Sequence, residues 1–201
     1  GGHSKMIIDI IRSQEEYNLV GLIDASSFIG KDLAMIDEVM GNPVIGDETL
    51  IENLINKGVN HAVNAVGFIE SSLPRENVFN MLEGLKYNIL NIIHKSAIIE
   101  PSAKIGIGNH ILANSFIGSS SVIGNNCIIN SGSVITHDVV LGDNVHITPG
   151  ALVGGYVEIG SNTVVGMGAT IHFGSKIGSN VRIHSGCNIF GTINEGSVVK
   201  N

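Results

Sequence analysis

Residues 111–135 read Ile111-Leu-Ala-Asn-Ser-Phe-Ile117-Gly-Ser-Ser-Ser-Val-Ile123-Gly-Asn-Asn-Cys-Ile-Ile129-Asn-Ser-Gly-Ser-Val-Ile135, with isoleucine at every sixth place. Followed in both directions, this column runs unbroken through seventeen positions from Ile93 to Ile189, departing from isoleucine only at Leu141, Val153 and Val165. If Ile, Leu and Val filled about a third of a chain at random, such a run would arise with probability on the order of 10⁻⁸. Neither a helix nor a simple alternating strand has a period of six. Four residues on, a second column from Ala97 to Ile193 holds mostly small or β-branched residues. The physical reading is a three-sided prism. Each hexapeptide gives a short strand and a sharp corner, and both columns point inward. Residues 18 apart then stack one coil above the other at about 4.8 Å.

Composition narrows the function. The 201 residues allow one large or two small domains, and with 43% hydrophobic residues, 4% aromatic and no tryptophan the core must be aliphatic. The formal charge is −7 and no Lys/Arg cluster occurs, which leaves no basis for binding nucleic acid. No apolar run reaches the roughly 18–20 residues of a membrane span. The repeat puts Cys127 and Cys187 on different faces about three coils apart, too far for a disulfide. A reducing cytoplasm is the expected location.

Residues 1–90 lack the six-period and alternate helix and strand signals. Helices are expected at 4–13, 47–57 and 75–85, and strands at 18–24, 43–45 and 60–66. The pattern is that of a small parallel, Rossmann-like α/β domain, with the prism occupying 91–201. Gly1-Gly2-His3 opens a helix, where glycine would let a phosphate approach backbone N–H groups. The strand that should precede such a turn is expected upstream of Gly1.

The hexapeptide pattern resembles that of the hexapeptide-repeat acyltransferases, which implies a left-handed parallel β-helix and a homotrimer. An α/β domain opening Gly-Gly-His-Ser-Lys ahead of that helix is similar to the sugar O/N-acetyltransferase family, which includes bacillosamine-pathway and perosamine N-acetyltransferases and sialic acid O-acetyltransferases. The resemblance implies acetyl transfer from acetyl-CoA to a sugar, first of all to the amino group of a nucleotide-linked amino sugar, with sialic acid O-acetylation as the alternative. The small domain would hold the acceptor through Gly1, Gly2, His3, Asp24, Ala25, Gly67 and Glu70.

Among eight histidines, His137 stands out within Thr136-His-Asp138 and lies nine residues before His146. In the family, the histidine of a His-Asp/Glu step is the general base, the acid beside it raises its basicity, and a histidine nine residues on lies against acetyl-CoA. His137, Asp138 and His146 match that pattern. Imidazole suits the task, being mostly neutral at pH 7 and able to take a proton. Gly155, one coil above His137, is by resemblance the amide that faces the acetyl carbonyl. Met167 and Ser185 match donor-contacting positions in later coils. The same prism also hosts γ-carbonic anhydrases with three zinc-binding histidines. His110 and His146 fit two of those places, but the third would fall near Ala151, so no metal is expected. A non-catalytic scaffold is the remaining alternative.

Overall fold

Side chains that must turn inward every sixth residue leave little room for long strands. The computed structural model, which describes residues 1–14, 16–24 and 38–200, accordingly builds its C-terminal part from strands of two residues. The first coil contributes Ile92–Ile93, Ile98–Ile99 and Lys104–Ile105. Each strand pairs in parallel with the one a coil later, as in Ile99↔Ile117↔Ile135, Ile105↔Ile123↔Leu141 and Ile111↔Ile129↔Ile147. The described residues form three stacked parallel sheets of seven, six and six strands, the walls of a left-handed parallel β-helix. The first face runs from Ile92–Ile93 to Val198–Val199, the second from Ile98–Ile99 to Asn188–Ile189, and the third from Lys104–Ile105 to Thr192–Ile193.

From Ile111 to Ile189 the aliphatic column is buried, and the small-residue column packs beside it. Fully burying one such Ile or Val stabilises by about 1.5–3 kcal/mol. The small column also satisfies polar groups. Ser115 Oγ donates to Leu112 O at 2.7 Å, Ser121 Oγ to Thr136 O at 2.7 Å, and Thr163 Oγ1 to Gly178 O at 2.9 Å. A buried hydroxyl is tolerated when it is bonded in this way.

At the top, the repeat loses two residues. Ile177 pairs with Ile193, so Ile193 belongs to the aliphatic column and not to the small one, as its spacing suggests. The corner at Phe190–Gly191, with Gly191 at φ 76°, closes in fewer residues than those below it.

The N-terminal part runs α1 (Gly2–Gln14), β1 (Leu22–Ile23), β2 (Glu38–Val39), β3 (Asn42–Gly46), α2 (Ile51–Asn56), β4 (His61–Ala62), α3 (Leu73–Gly84) and β5 (Asn88–Ile89). It is an α/β unit, but not one continuous parallel sheet. β1 pairs parallel with β3, β2 pairs antiparallel with β3, and β4 and β5 form a separate parallel pair. The strands expected over 18–24 and 60–66 shrink to two residues each among the described residues, where β3 and β5 lie alongside. The helix expected over 47–57 splits into a 3-10 turn, Glu48–Leu50, and α2. Asp47 caps the turn, its carboxylate accepting from Thr49 N at 3.0 Å.

This unit lies across the first face of the β-helix. Ile7, Ile10 and Ile11 of α1 and Phe68 share one buried cluster with Ile92, Leu112, Ile128 and Val164. Arg75 of α3, fully buried, clamps the seam: its Nη1 donates to Asn64 O and Val66 O at 2.6 and 2.7 Å, its Nε to Asn126 O at 3.0 Å, and its Nη2 to Gly108 O at 3.0 Å.

Candidate active site

The corner between the second and third faces carries His137. Val134–Ile135 and Val140–Leu141 fix the backbone on either side, so the imidazole must leave the prism at the edge. Asp138 follows in the left-handed region, φ 57°, a conformation aspartate accepts. That turn brings Asp138 Oδ2 to 2.8 Å from His137 Nδ1. The carboxylate can only accept, so Nδ1 carries the hydrogen and Nε2 keeps its lone pair. The side chains are 53% exposed for His137 and 39% for Asp138, so the pair stands at the surface.

Gly155, one coil above, lies against the ring. A Cβ added there would fall 2.7 Å from His137 Cε1 and 2.9 Å from Nε2, so only glycine lets the imidazole lie where it does. Gly155 is buried, and its N–H has no hydrogen-bond partner among the described residues. At Ile107, Asn125 and Asp143, which hold the same place in their hexapeptides, the N–H donates to a side-chain oxygen one coil on. One coil above Gly155 stands Phe173, which has no acceptor. A shallow apolar hollow lined by Val134, Thr136, Leu152, Gly154, His172 and Phe173 lies on the second face beside this edge.

The other expected site residues lie elsewhere. Met167 and Ser185 sit one above the other on the edge between the first and second faces, joined by Gly186 N donating to Met167 O at 2.9 Å. His146 projects from the first face beneath the N-terminal unit. Its Nδ1–H donates to Phe68 O at 2.7 Å and its Nε2 meets Asn130 Nδ2 at 3.1 Å. Burial, opposed by the Phe68 bond and aided by Arg75, pushes its pKa down to about 4. Within one chain, His146 therefore has both nitrogens engaged and lies across the prism from His137.

Gly1, Gly2, His3 and Gly67 come together at the start of α1, where a Cβ on Gly67 would meet His3 Cβ at 2.9 Å. His3 turns inward: its Nε2 lies 2.8 Å from His110 Nδ1, and the rings stack at 5.0 Å. Burial first, then Arg75 and His146, lowers its pKa to about 4, so it is neutral at pH 7. Asp24 closes β1, its N–H donating to Gly46 O at 3.1 Å. Glu70 offers its carbonyl to Arg182. Ala25 lies outside the described residues.

Sequence reasoning missed Arg75, His110 in its buried role, and the aromatic pair Tyr156 and Phe173 at the His137 edge. Their only signal was the 18-residue spacing that puts Tyr156 above Asp138 and Phe173 above Gly155. Cys127 is buried and its thiol is pushed up to about 12, chiefly by that burial, so it is no nucleophile. Among the described residues, no group of three or more His, Cys, Asp or Glu side chains is arranged to hold a metal ion, and no helix is long and apolar enough to cross a membrane.

Residues 1–82 match the family model of the PglD N-terminal domain, and residues 120–155 match that of the bacterial transferase hexapeptide with six repeats. No curated protein sequence matches the chain. The structure is similar to perosamine N-acetyltransferase from Caulobacter crescentus, solved in complex with CoA and GDP-perosamine, at 27% identity and TM-score 0.89, covering 98% of this chain and 89% of that one. It is similar to the acetyltransferase domain of PglB from Neisseria gonorrhoeae FA1090, solved with acetyl coenzyme A, at 28% identity and TM-score 0.88, covering 99% of this chain and 91% of that one. WeeI from Acinetobacter baumannii AYE, 24% identical with TM-score 0.82 over 98% of this chain and 91% of its own, shares the fold. With its first 82 residues matching the PglD N-terminal domain and part of its prism matching a hexapeptide transferase, the chain is similar over nearly its whole length to perosamine N-acetyltransferase and to the PglB acetyltransferase domain.

Proposed function

We propose that the protein transfers an acetyl group from acetyl-CoA to the amino group of a nucleotide-linked amino sugar. The observation that carries this reading is His137, with Nδ1 held by Asp138 at 2.8 Å and a side chain 53% exposed. Two similar structures support the substrates: one was solved with CoA and GDP-perosamine, the other with acetyl-CoA.

In the proposed reaction the neutral acceptor amine attacks the thioester carbonyl. His137 Nε2 takes the proton the nitrogen sheds, and Asp138 stabilises the imidazolium that results. Negative charge grows on the carbonyl oxygen, and the Gly155 N–H, which has no partner among the described residues, would donate to it. The tetrahedral adduct collapses, the C–S bond breaks, and the His137 proton passes to the departing thiolate.

The acting form in this reading is a homotrimer with acetyl-CoA between subunits. Met167 and Ser185 stand on a different prism edge from His137, so only a second copy brings such an edge to the base. The exposed apolar side chains of Ile98 and Leu152 on the second face suit burial against another copy. Gly1, Gly2, His3, Asp24, Ala25, Gly67 and Glu70 are proposed to hold the acceptor. With His3 neutral, backbone N–H groups at the start of α1 would supply most of the pull on a diphosphate.

The test is a panel of acceptors with acetyl-CoA, reading released thiol: UDP-linked 4-amino sugars, GDP-perosamine, free and CMP-linked sialic acid, and serine. Turnover confined to nucleotide-linked amino sugars is expected. Turnover with sialic acid alone would overturn the amine assignment, and none with any sugar would overturn the reading as a whole.

A further inference from the structure

From Gly108 to Gly186, the second residue of each prism corner adopts a left-handed backbone. Asparagine fills that place at 114, 126, 144, 162 and 180, serine at 120 and aspartate at 138, with φ between 56° and 62°. Tyr156 fills it above Asp138, at φ 59°. A bulky aromatic side chain is a poor occupant of this region, and strain of this kind gathers at functional sites. Core packing does not explain it, since the residue is 54% exposed.

Its contacts point one way. The ring meets the His137 imidazole nearly at right angles, 83°, with centroids 5.3 Å apart. Phe173 braces it from the next coil, again at 5.3 Å. His137 is thus enclosed by Asp138 at Nδ1, by the bare Cα of Gly155, and by the Tyr156 ring. We propose that Tyr156 is a positioning residue that locks the His137 ring in the orientation presenting Nε2 to the acceptor, with Phe173 behind it. The inference rests on the reading of His137 as the base, and its contribution is the aromatic ring, not the hydroxyl.

The test compares Tyr156→Asn, which suits the backbone and so should fold, with Tyr156→Phe, which keeps the ring. The first readout needs no substrate. In protein carrying ¹³C at histidine Cε1, the His137 resonance is assigned by its loss in His137→Ala. It should relax as a rigid group in the wild type and in Tyr156→Phe, and become mobile in Tyr156→Asn. An unchanged resonance in Tyr156→Asn overturns the proposal. The second readout is acetyl transfer to GDP-perosamine. Tyr156→Asn should lower kcat about tenfold or more through misplacement of the base, with KM for acetyl-CoA within about twofold, and Tyr156→Phe should keep wild-type kcat. An equal loss in both variants, or a loss confined to KM, overturns the ring-positioning role. His137→Ala keeping full turnover sinks the base assignment instead, and the resonance data still judge the ring contact by themselves.

Discussion

One methyl group separates two tasks at Gly155. Gly155→Ala keeps the amide that would face the oxyanion, but its Cβ would fall 2.7 Å from His137 Cε1 and push the ring off its seat. We expect kcat to fall about tenfold to a hundredfold with little change in melting temperature, measured by thiol release and thermal unfolding. At Tyr156 the opposite balance is expected: Tyr156→Asn relieves a left-handed conformation that costs about 1–2 kcal/mol, so it should melt higher while turning over more slowly. His137 and Asp138 were legible because they are neighbours in the sequence. Tyr156 was not, because its partner lies a coil away and a corner residue carries no pattern of its own.

The coil is the element that gives the prism its stability, and its side chains are stacked without slack. Ile135, fully buried, sits between Ile117 and Val153 in the second sheet. Ile135→Ala should cost about 2–5 kcal/mol, read by urea unfolding. Arg75→Ala should cost at least as much, since it strips partners from four carbonyls at about 1–3 kcal/mol for each one left buried. The six-period was readable because each repeat declares itself locally. Its loss of two residues above Phe190 was not, since Ile193 satisfies the spacing of the wrong column. Strands of two residues in the N-terminal unit left no alternation to read, and β2 was missed although Met40-Gly41, both at positive φ, mark its hairpin turn.

Across the whole molecule, the seam between the two units buries three histidines beside one arginine. His3, His110, His146 and Arg75 face one another there, and the buried Nε2 of His110 has no partner among the described residues. Burial, with Arg75 adding to it, lowers the pKa of both His3 and His146 from 6.5 to about 4 and holds that of His110 well below its usual value. The folded chain then refuses protons that the unfolded chain takes up. The stability that His3 and His146 contribute should therefore be lost as pH drops from about 6.5 toward 4, and His110 adds to the loss in the same direction. For His146 alone, the full shift corresponds to about 3 kcal/mol. Urea unfolding at pH 7.5 and pH 5 should show the loss, and His146→Gln should reduce it. None of this could be read from the chain, because the seam joins residues a hundred or so apart.

In the proposed reaction an imidazole at a prism corner takes the acceptor's proton. Turnover of wild type and His137→Ala with acetyl-CoA and the acceptor that the panel selects tests it most directly. A loss of at least about a hundredfold in kcat is expected in a variant that folds and binds acetyl-CoA as the wild type does. Equal rates from the two proteins would contradict it.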